Sequence, residues 1–355
     1  MRAACSTTRT SRCFEIALAS GFGSVRQFNR ACREIFRATP RALRARRRKS
    51  DRLVADGGLP LRLAFLGELD WEALARYLAA RAIPGVEAVE AGTYRRTIWV
   101  DGNPGVLELS RGGDDHLLCV MHLPRWGQLT HLVARARRIG SLDLDLYEPA
   151  EHLACDPTIG PLLRRRPGLR PPGAWDPFEI GVRAIVGQQV SVSAASTIVG
   201  RIVERVGRSV PGLAPFGLTH VFPDCETLAA ADLGGLGLTS SRREAVREFA
   251  RAVLEGTVRL DQSVGLDALV DSLTALPGLG PWTAQYIALR IGERDAFPAS
   301  DLGLRRALAR GGVASAAEVE ALAESWRPWR ALAATHLWMA ADGRTVRDVG
   351  EQRAA

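Results

Sequence analysis

The sequence predicts an α+β protein, a mixed α+β domain followed by an all-α domain, on three observations. Residues 61–123 carry period-two apolar alternation broken by turn signals, nearly everything after Asp176 shows apolar residues at three and four residue spacing, and short Gly and Pro breaks join those helical runs. At 355 residues and 46% hydrophobic, the chain is long enough for two or three packed domains.

The elements follow in order. Residues 14–45 read as helix, Gly-containing turn and second helix, with Ser24 as its cap, and residues 50–59 as a polar linker. Leu61, Leu63 and Phe65 alternate as in a strand, and Asp70 caps a helix bearing Leu74, Tyr77 and Leu78 on one face. Strands are expected at Tyr94–Val100, Val106–Ser110 and His116–Leu123, closed by a helix over Gln128–Ile139. No catalytic constellation is visible in this unit, which reads as structural or DNA-flanking. Helices are then expected at Phe178–Val186, Ser191–Arg205, Ser241–Leu254, Leu266–Leu276, Trp282–Arg290, Leu302–Ala309 and Ala317–Met339. The expected boundaries are a basic segment at 1–49, the linker at 50–59, the α+β domain at 60–145, the helical domain at 146–345 and a tail at 346–355.

Charge is unevenly spread. Residues 1–49 hold thirteen Arg or Lys against two Glu, whereas residues 50–355 hold 34 basic against 37 acidic groups, so the net +8 belongs to the N-terminal segment. A DNA-binding body must then rely on a local patch and backbone donors. Six scattered cysteines form no C-x-x-C pair, which argues against an iron–sulfur cluster or a zinc site. The opening residues, Arg-rich and without acids, mimic a presequence, but the helical pattern that follows reads as a domain; a cytoplasmic protein without a membrane span is expected. Lys49 is the only lysine, and arginine cannot replace it as an amine nucleophile.

Two local patterns carry chemistry. Leu276-Pro277-Gly278-Leu279-Gly280 joins two amphipathic helices; its glycines let the backbone turn tightly with amides outward at a helix start, which suits a phosphate, and its carbonyls can hold a monovalent cation such as Na+ or K+. Alone, such a turn is equally an ordinary cap followed by an N1 proline. About twenty residues on, Pro298-x-x-Asp301 opens a helix whose positive end favours a carboxylate, though an aspartate there is most often a plain cap.

The hairpin followed by Pro-x-x-Asp resembles the signature of the helix-hairpin-helix DNA glycosylases. Residues 61–340 are similar throughout to the bacterial 3-methyladenine DNA glycosylase II family: LRLAF at 61–65, PGVEAV at 84–89, WDPFEIGVRAIVGQQVSVSAA at 175–195, LPGLGPWTAQYIALR at 276–290, FPASDLGLRRAL at 297–308, WRPWR at 326–330 and THLW at 335–338. The resemblance implies a TBP-like α+β domain packed on a helical glycosylase domain with the active site in the cleft. It implies monofunctional release of alkylated bases such as 3-methyladenine and 7-methylguanine from double-stranded DNA, by base flipping, with no required cofactor, in a monomer. Asp301 then matches the essential aspartate, stabilising the oxocarbenium-like sugar or orienting water. Trp282 stands where bifunctional relatives carry a lysine. Trp282, Tyr286 and Trp338 match aromatic positions of the base pocket, where electron-rich rings attract a cationic base. Leu302 matches a pocket position that is aromatic in some members, and Gln189, in the turn Gly187-Gln188-Gln189-Val190, matches a DNA wedge that is often leucine. Trp326 and Trp329 read as core, and His336 as a buried structural histidine or a support for the helix of Trp338. Residues 15–44, EIALASGFGSVRQFNRACREIFRATPRALR, resemble one of the two motifs of the AraC-type DNA-binding domain, with Ser24, Arg26, Gln27 and Arg30 as candidate nucleic-acid contacts. A regulator using that motif, and a glycosylase for oxidised, deaminated or mismatched bases, stay open as alternatives.

Overall fold

The computed structural model describes Ser24, Arg26, Gln27, Asn29 and Arg30 and residues 58–123, 128–309 and 312–341. In the N-terminal segment the Gln27 amide donates to Ser24 Oγ at 3.2 Å, as a cap does. The rest of the expected helix-turn-helix lies outside the described residues.

The first unit is an antiparallel sheet covered on one face by two helices. Its strands are β1 (Leu59–Ala64), β2 (Glu87–Glu90), β3 (Thr93–Val100), β4 (Asn103–Arg111) and β5 (His116–His122), in the order β1-β5-β4-β3-β2. The alternation of β1 is the simplest case: Leu59, Leu61 and Leu63 face inward and their neighbours outward. Helix α1 (Trp71–Ala80) starts at Asp70, whose carboxylate accepts from the Ala73 amide, and helix α2 is Leu129–Ile139. Trp71, Leu74 and Leu78 of α1 meet Leu132, Ala136 and Ile139 of α2 over the strand residues Leu61, Leu107, Leu109 and Cys119. Strand β2, short and carrying two glutamates, has no alternation that a sequence reading could find.

The second unit is helical: α3 (Tyr147–Leu153), α4 (Ile159–Arg165), α5 (Pro177–Val186), α6 (Val192–Val206), α7 (Cys225–Ala230), α8 (Ser240–Leu254), α9 (Leu266–Thr274), α10 (Pro281–Ile291), α11 (Leu302–Leu308), α12 (Ala316–Ala323) and α13 at 330–341. The single helix expected over Ala317–Met339 is in fact two. Pro328 has no amide to donate and drives Arg327 to ψ 142, out of the helical region, so the chain breaks between α12 and α13. Trp326 and Trp329 flank that break and are buried, as core residues. Among the described residues no helix is long and apolar enough to cross a membrane.

The two units are fastened along a seam. Arg96 on β3 reaches Glu179 on α5 at 2.6 Å, and Arg183, one turn further along α5, reaches Glu87 at 2.9 Å; all four are buried or nearly so. Burial raises the Glu87 carboxyl's pKa, but Arg183 and Arg96 together outweigh it and leave it lowered. A second contact comes from residues 208–221 of the helical unit, where Val210, Leu213 and Leu218 pack with Val106 and Trp99 on the open face of the sheet, and Thr97 Oγ1 donates to the His220 carbonyl at 2.6 Å. Removing one member of a buried pair strands the other charge. Glu179→Gln is therefore expected to lower the unfolding free energy by about 3–5 kcal/mol in a urea titration; an unshifted midpoint would contradict the buried pairing.

Candidate active site

Asp301 is positioned by the backbone before it is used by anything else. Its amide donates to the Pro298 carbonyl at 2.8 Å, and the Phe297 amide donates to Gln285 Oε1 on α10 at 2.9 Å, so the Pro-x-x-Asp turn is tied to α10. As N-cap of α11 its Oδ1 accepts from the Leu304 amide at 3.1 Å. Two indoles complete the carboxylate: Trp338 Nε1 of α13 donates to Oδ1 at 2.8 Å, and Trp282 Nε1 of α10 donates to Oδ2 at 3.0 Å. An indole N–H only donates, so both rings act purely as donors to the carboxylate oxygens.

Around this carboxylate lies a cleft of about 370 Å³. The Trp282 and Tyr286 rings are stacked, centroids 5.4 Å apart and 9° from parallel, and Trp338 stands edge-on to Tyr286 at 6.3 Å. The four-residue spacing of Trp282 and Tyr286 on α10 produces that stack. Leu302 is not part of the lining; it stands 48% exposed at the start of α11, because the cap geometry that turns Asp301 inward points the next side chain to solvent. His336 is buried, and burial together with Arg166 lowers its pKa to about 4 despite a bond with the Leu162 backbone, so it is neutral and structural.

Several contributors escaped the sequence reading. Ala73, Leu74, Tyr77 and Arg81 of α1 form part of the lining, so the first domain supplies a wall of the site and is not merely a flanking unit. Tyr77 read as one of the apolar residues of an amphipathic helix; only the docking of the domains reveals that its hydroxyl meets that of Tyr286 at 3.2 Å. Arg290, one turn beyond Tyr286, donates to both phenol oxygens. Gly303 is the third: a Cβ there would sit 2.9 Å from Asp301 Oδ1 and 3.2 Å from Trp338 Cδ1, so only glycine lets the carboxylate and the indole meet.

The hairpin lies at the other end of α10. Gly278 has φ +85, a conformation glycine adopts without strain, Leu279 is buried as its anchor, and Pro277, Gly278 and Gly280 are exposed. Gly280 caps α10 without a side chain and Pro281 occupies its first turn, which leaves the early amides open. The turn after α5 is bound to this hairpin: Gln188 Nε2 donates to the Gly278 carbonyl and to Thr283 Oγ1, both at 2.9 Å, while Arg242 on α8 donates to the Gln188 carbonyl at 2.7 Å. Next to it Gln189 is exposed, with φ +57. The carbonyls of Leu276 and Gly278 accept from the Leu279 amide and from Gln188 Nε2 respectively.

Residues 60–176 match the model of the AlkA N-terminal domain, and residues 182–331 that of the HhH-GPD superfamily of base excision DNA repair proteins. The chain is 34% identical to the DNA-3-methyladenine glycosylase 2 of Escherichia coli over 278 residues, which are 76% of this chain and 93% of that protein. It belongs to that family. Within the family it is also 39% identical to a probable bifunctional transcriptional activator/DNA repair enzyme AlkA of Mycobacterium tuberculosis, over 91% of this chain; it spans 66% of that relative's length. A 3-methyladenine DNA-glycosylase from Archaeoglobus fulgidus shares the fold at a TM-score of 0.68 and 23% identity, covering 79% of this chain and 98% of that one. In this chain Trp282 serves the aspartate as a hydrogen-bond donor.

Gln188→Ala removes the tie between the two turns. Amide hydrogen exchange across residues 187–190 and 278–283 is expected to quicken by roughly tenfold; unchanged protection would show that the turns hold their shape independently.

Proposed function

We propose that the chain is a monofunctional DNA glycosylase that flips alkylated bases, 3-methyladenine and 7-methylguanine among them, out of duplex DNA and hydrolyses the bond to the sugar, acting as a monomer. The observation that carries this reading is the Asp301 carboxylate, held by two indole N–H groups on the wall of an aromatic cleft. A flipped base enters beside Trp282 and Tyr286, whose electron-rich faces favour a cationic alkylated ring by roughly 0.5–2 kcal/mol per contact. As the base departs, positive charge grows on the sugar, and a fixed anion stabilises that charge without reorganisation. Water completes the substitution at the anomeric carbon, and the same carboxylate can orient it.

The duplex is held by two turns. The open amides at the start of α10 take a backbone phosphate, and a monovalent cation on the hairpin carbonyls would add positive charge there. Gln189 fills the gap left by the flipped base; its amide can pair with the orphaned partner base, though with weaker stacking than a leucine. A lyase step needs an amine, and the chain's one lysine, Lys49, lies far along the sequence from the Asp301 loop, in the basic segment.

Purified protein incubated with methylated duplex DNA is expected to release 3-methyladenine and 7-methylguanine and to leave abasic, un-nicked strands. Asp301→Asn keeps the cap and the shape but loses the charge, and is expected to slow release by a factor of about 100–1,000 or more. Residues 50–355 alone are expected to retain the activity. Nicked strands, or an Asn variant as fast as the parent, would overturn the assignment.

A further inference from the structure

The cleft contains a buried cation with no conventional counter-charge. Arg290 is 4% exposed, yet among the described residues no carboxylate lies within ion-pair reach of it. Its donors go instead to the carbonyls of Pro172 at 2.7 Å and Gly173 at 3.0 Å, and to the phenol oxygens of Tyr77 at 3.0 Å and Tyr286 at 2.9 Å. Arg183, on the same lining, shows the ordinary solution, with Glu87 and Glu179 both against it. A guanidinium removed from water without an anion is costly, and the nearest groups able to become anionic are the two phenols, 3.2 Å apart.

The rest of the lining makes the imbalance worse. From α1 comes Tyr77, and Arg81, just after that helix, has its guanidinium 3.8 Å over the Tyr77 ring; Arg183 of α5 is already matched by Glu87 and Glu179; the segment between α4 and α5 adds Arg170; and Arg290 stands on α10 itself. The cap of α11 adds the carboxylate Asp301, whose oxygens are occupied by the two indoles, and α13 lines the cleft with Thr335, Trp338 and Met339, none of them titratable. With both phenols neutral, Asp301 is the one carboxylate among the described lining residues against the guanidinium groups of Arg81, Arg170 and Arg290.

We infer that Tyr77 and Tyr286 together act as the counter-anion of Arg290 by giving up one proton between them, and that this ionisation sets the preference of the cleft for a cationic over a neutral base. The inference rests on the base-binding reading of the same cleft. When the proton leaves, one phenolate oxygen keeps two donors, the Arg290 guanidinium and the remaining phenol O–H, an arrangement that stabilises a single negative charge and resists a second. The pair splits in that sense. Burial pushes the Tyr286 phenol up, but Arg290, Arg81 and the bonds from Tyr77 and Arg290 outweigh it and lower it to about 8, while burial raises Tyr77. The phenolate ring is the one stacked on Trp282, and both rings line the cleft. Because the anion exists above the transition, cation binding strengthens as pH rises through it and a neutral ring is indifferent.

The test uses the full chain and two ring compounds of fixed charge, so that no substrate titration intrudes and no base release is required. Ultraviolet absorbance of tyrosinate is followed against pH, and calorimetry measures binding of 1-methylnicotinamide, a permanent cation through its quaternary ring nitrogen, and of nicotinamide, its neutral counterpart. One tyrosinate is expected to appear with a midpoint near pH 8. Affinity for the cation rises roughly fivefold across that midpoint and affinity for nicotinamide stays flat. Tyr286→Phe keeps the ring, and is expected to abolish both the transition and the rise; Tyr77→Phe removes the supporting O–H and shifts the transition upward. Absence of a tyrosinate below the ordinary tyrosine range, a cation affinity that ignores pH, or a rise that survives in Tyr286→Phe would each overturn the inference. Failure to release methylated bases would instead sink the glycosylase reading and leave these titrations to stand on their own.

Discussion

The active cleft depends on one anion held by two indoles. Asp301 is at once a helix cap, bonded to its own backbone at Leu304, and the acceptor for Trp282 and Trp338, which arrive from different helices. Three donors to one carboxylate fix its position and its orientation in the cleft. The surrounding architecture serves that arrangement. The Pro298 turn and Gln285 hold the loop, Gly303 leaves room for the indole, and the break at Pro328 lets α13 take a direction separate from α12.

The same arrangement shows what a tryptophan at position 282 contributes. An amine at position 282 would be a nucleophile and would compete for the carboxylate as an ion pair. An indole offers a single N–H, stacks on Tyr286 and has no basic lone pair, so it orders the acid and shapes the pocket without opening a covalent route.

Much of this was legible in the sequence because it is local. The helix starts at Asp70 and Asp301 follow from cap chemistry, the stack of Trp282 on Tyr286 from four-residue spacing, and the alternation of β1 from period-two burial. The glycines of the hairpin announce themselves by their turn. What stayed hidden is tertiary. Tyr77 and Arg290 look like ordinary members of amphipathic helices until α1 and α10 meet, and β2 is too short and too acidic to show a period. Leu302 illustrates the opposite case: the resemblance implied a pocket position, yet a capping residue and its successor point in different directions and Leu302 stands exposed. The tie from Gln188 to Gly278 spans ninety residues of chain and leaves no trace in either segment read alone.

The hydroxyl contact between Tyr77 and Tyr286 crosses the seam between two separately packed cores. The shape of the cleft thus depends on how those cores meet, and the Arg96–Glu179 and Arg183–Glu87 pairs and the 208–221 segment lying on the sheet hold that junction. Residues remote from the cleft can in this way alter its shape, so the space is open to tuning from its joint as much as from its lining.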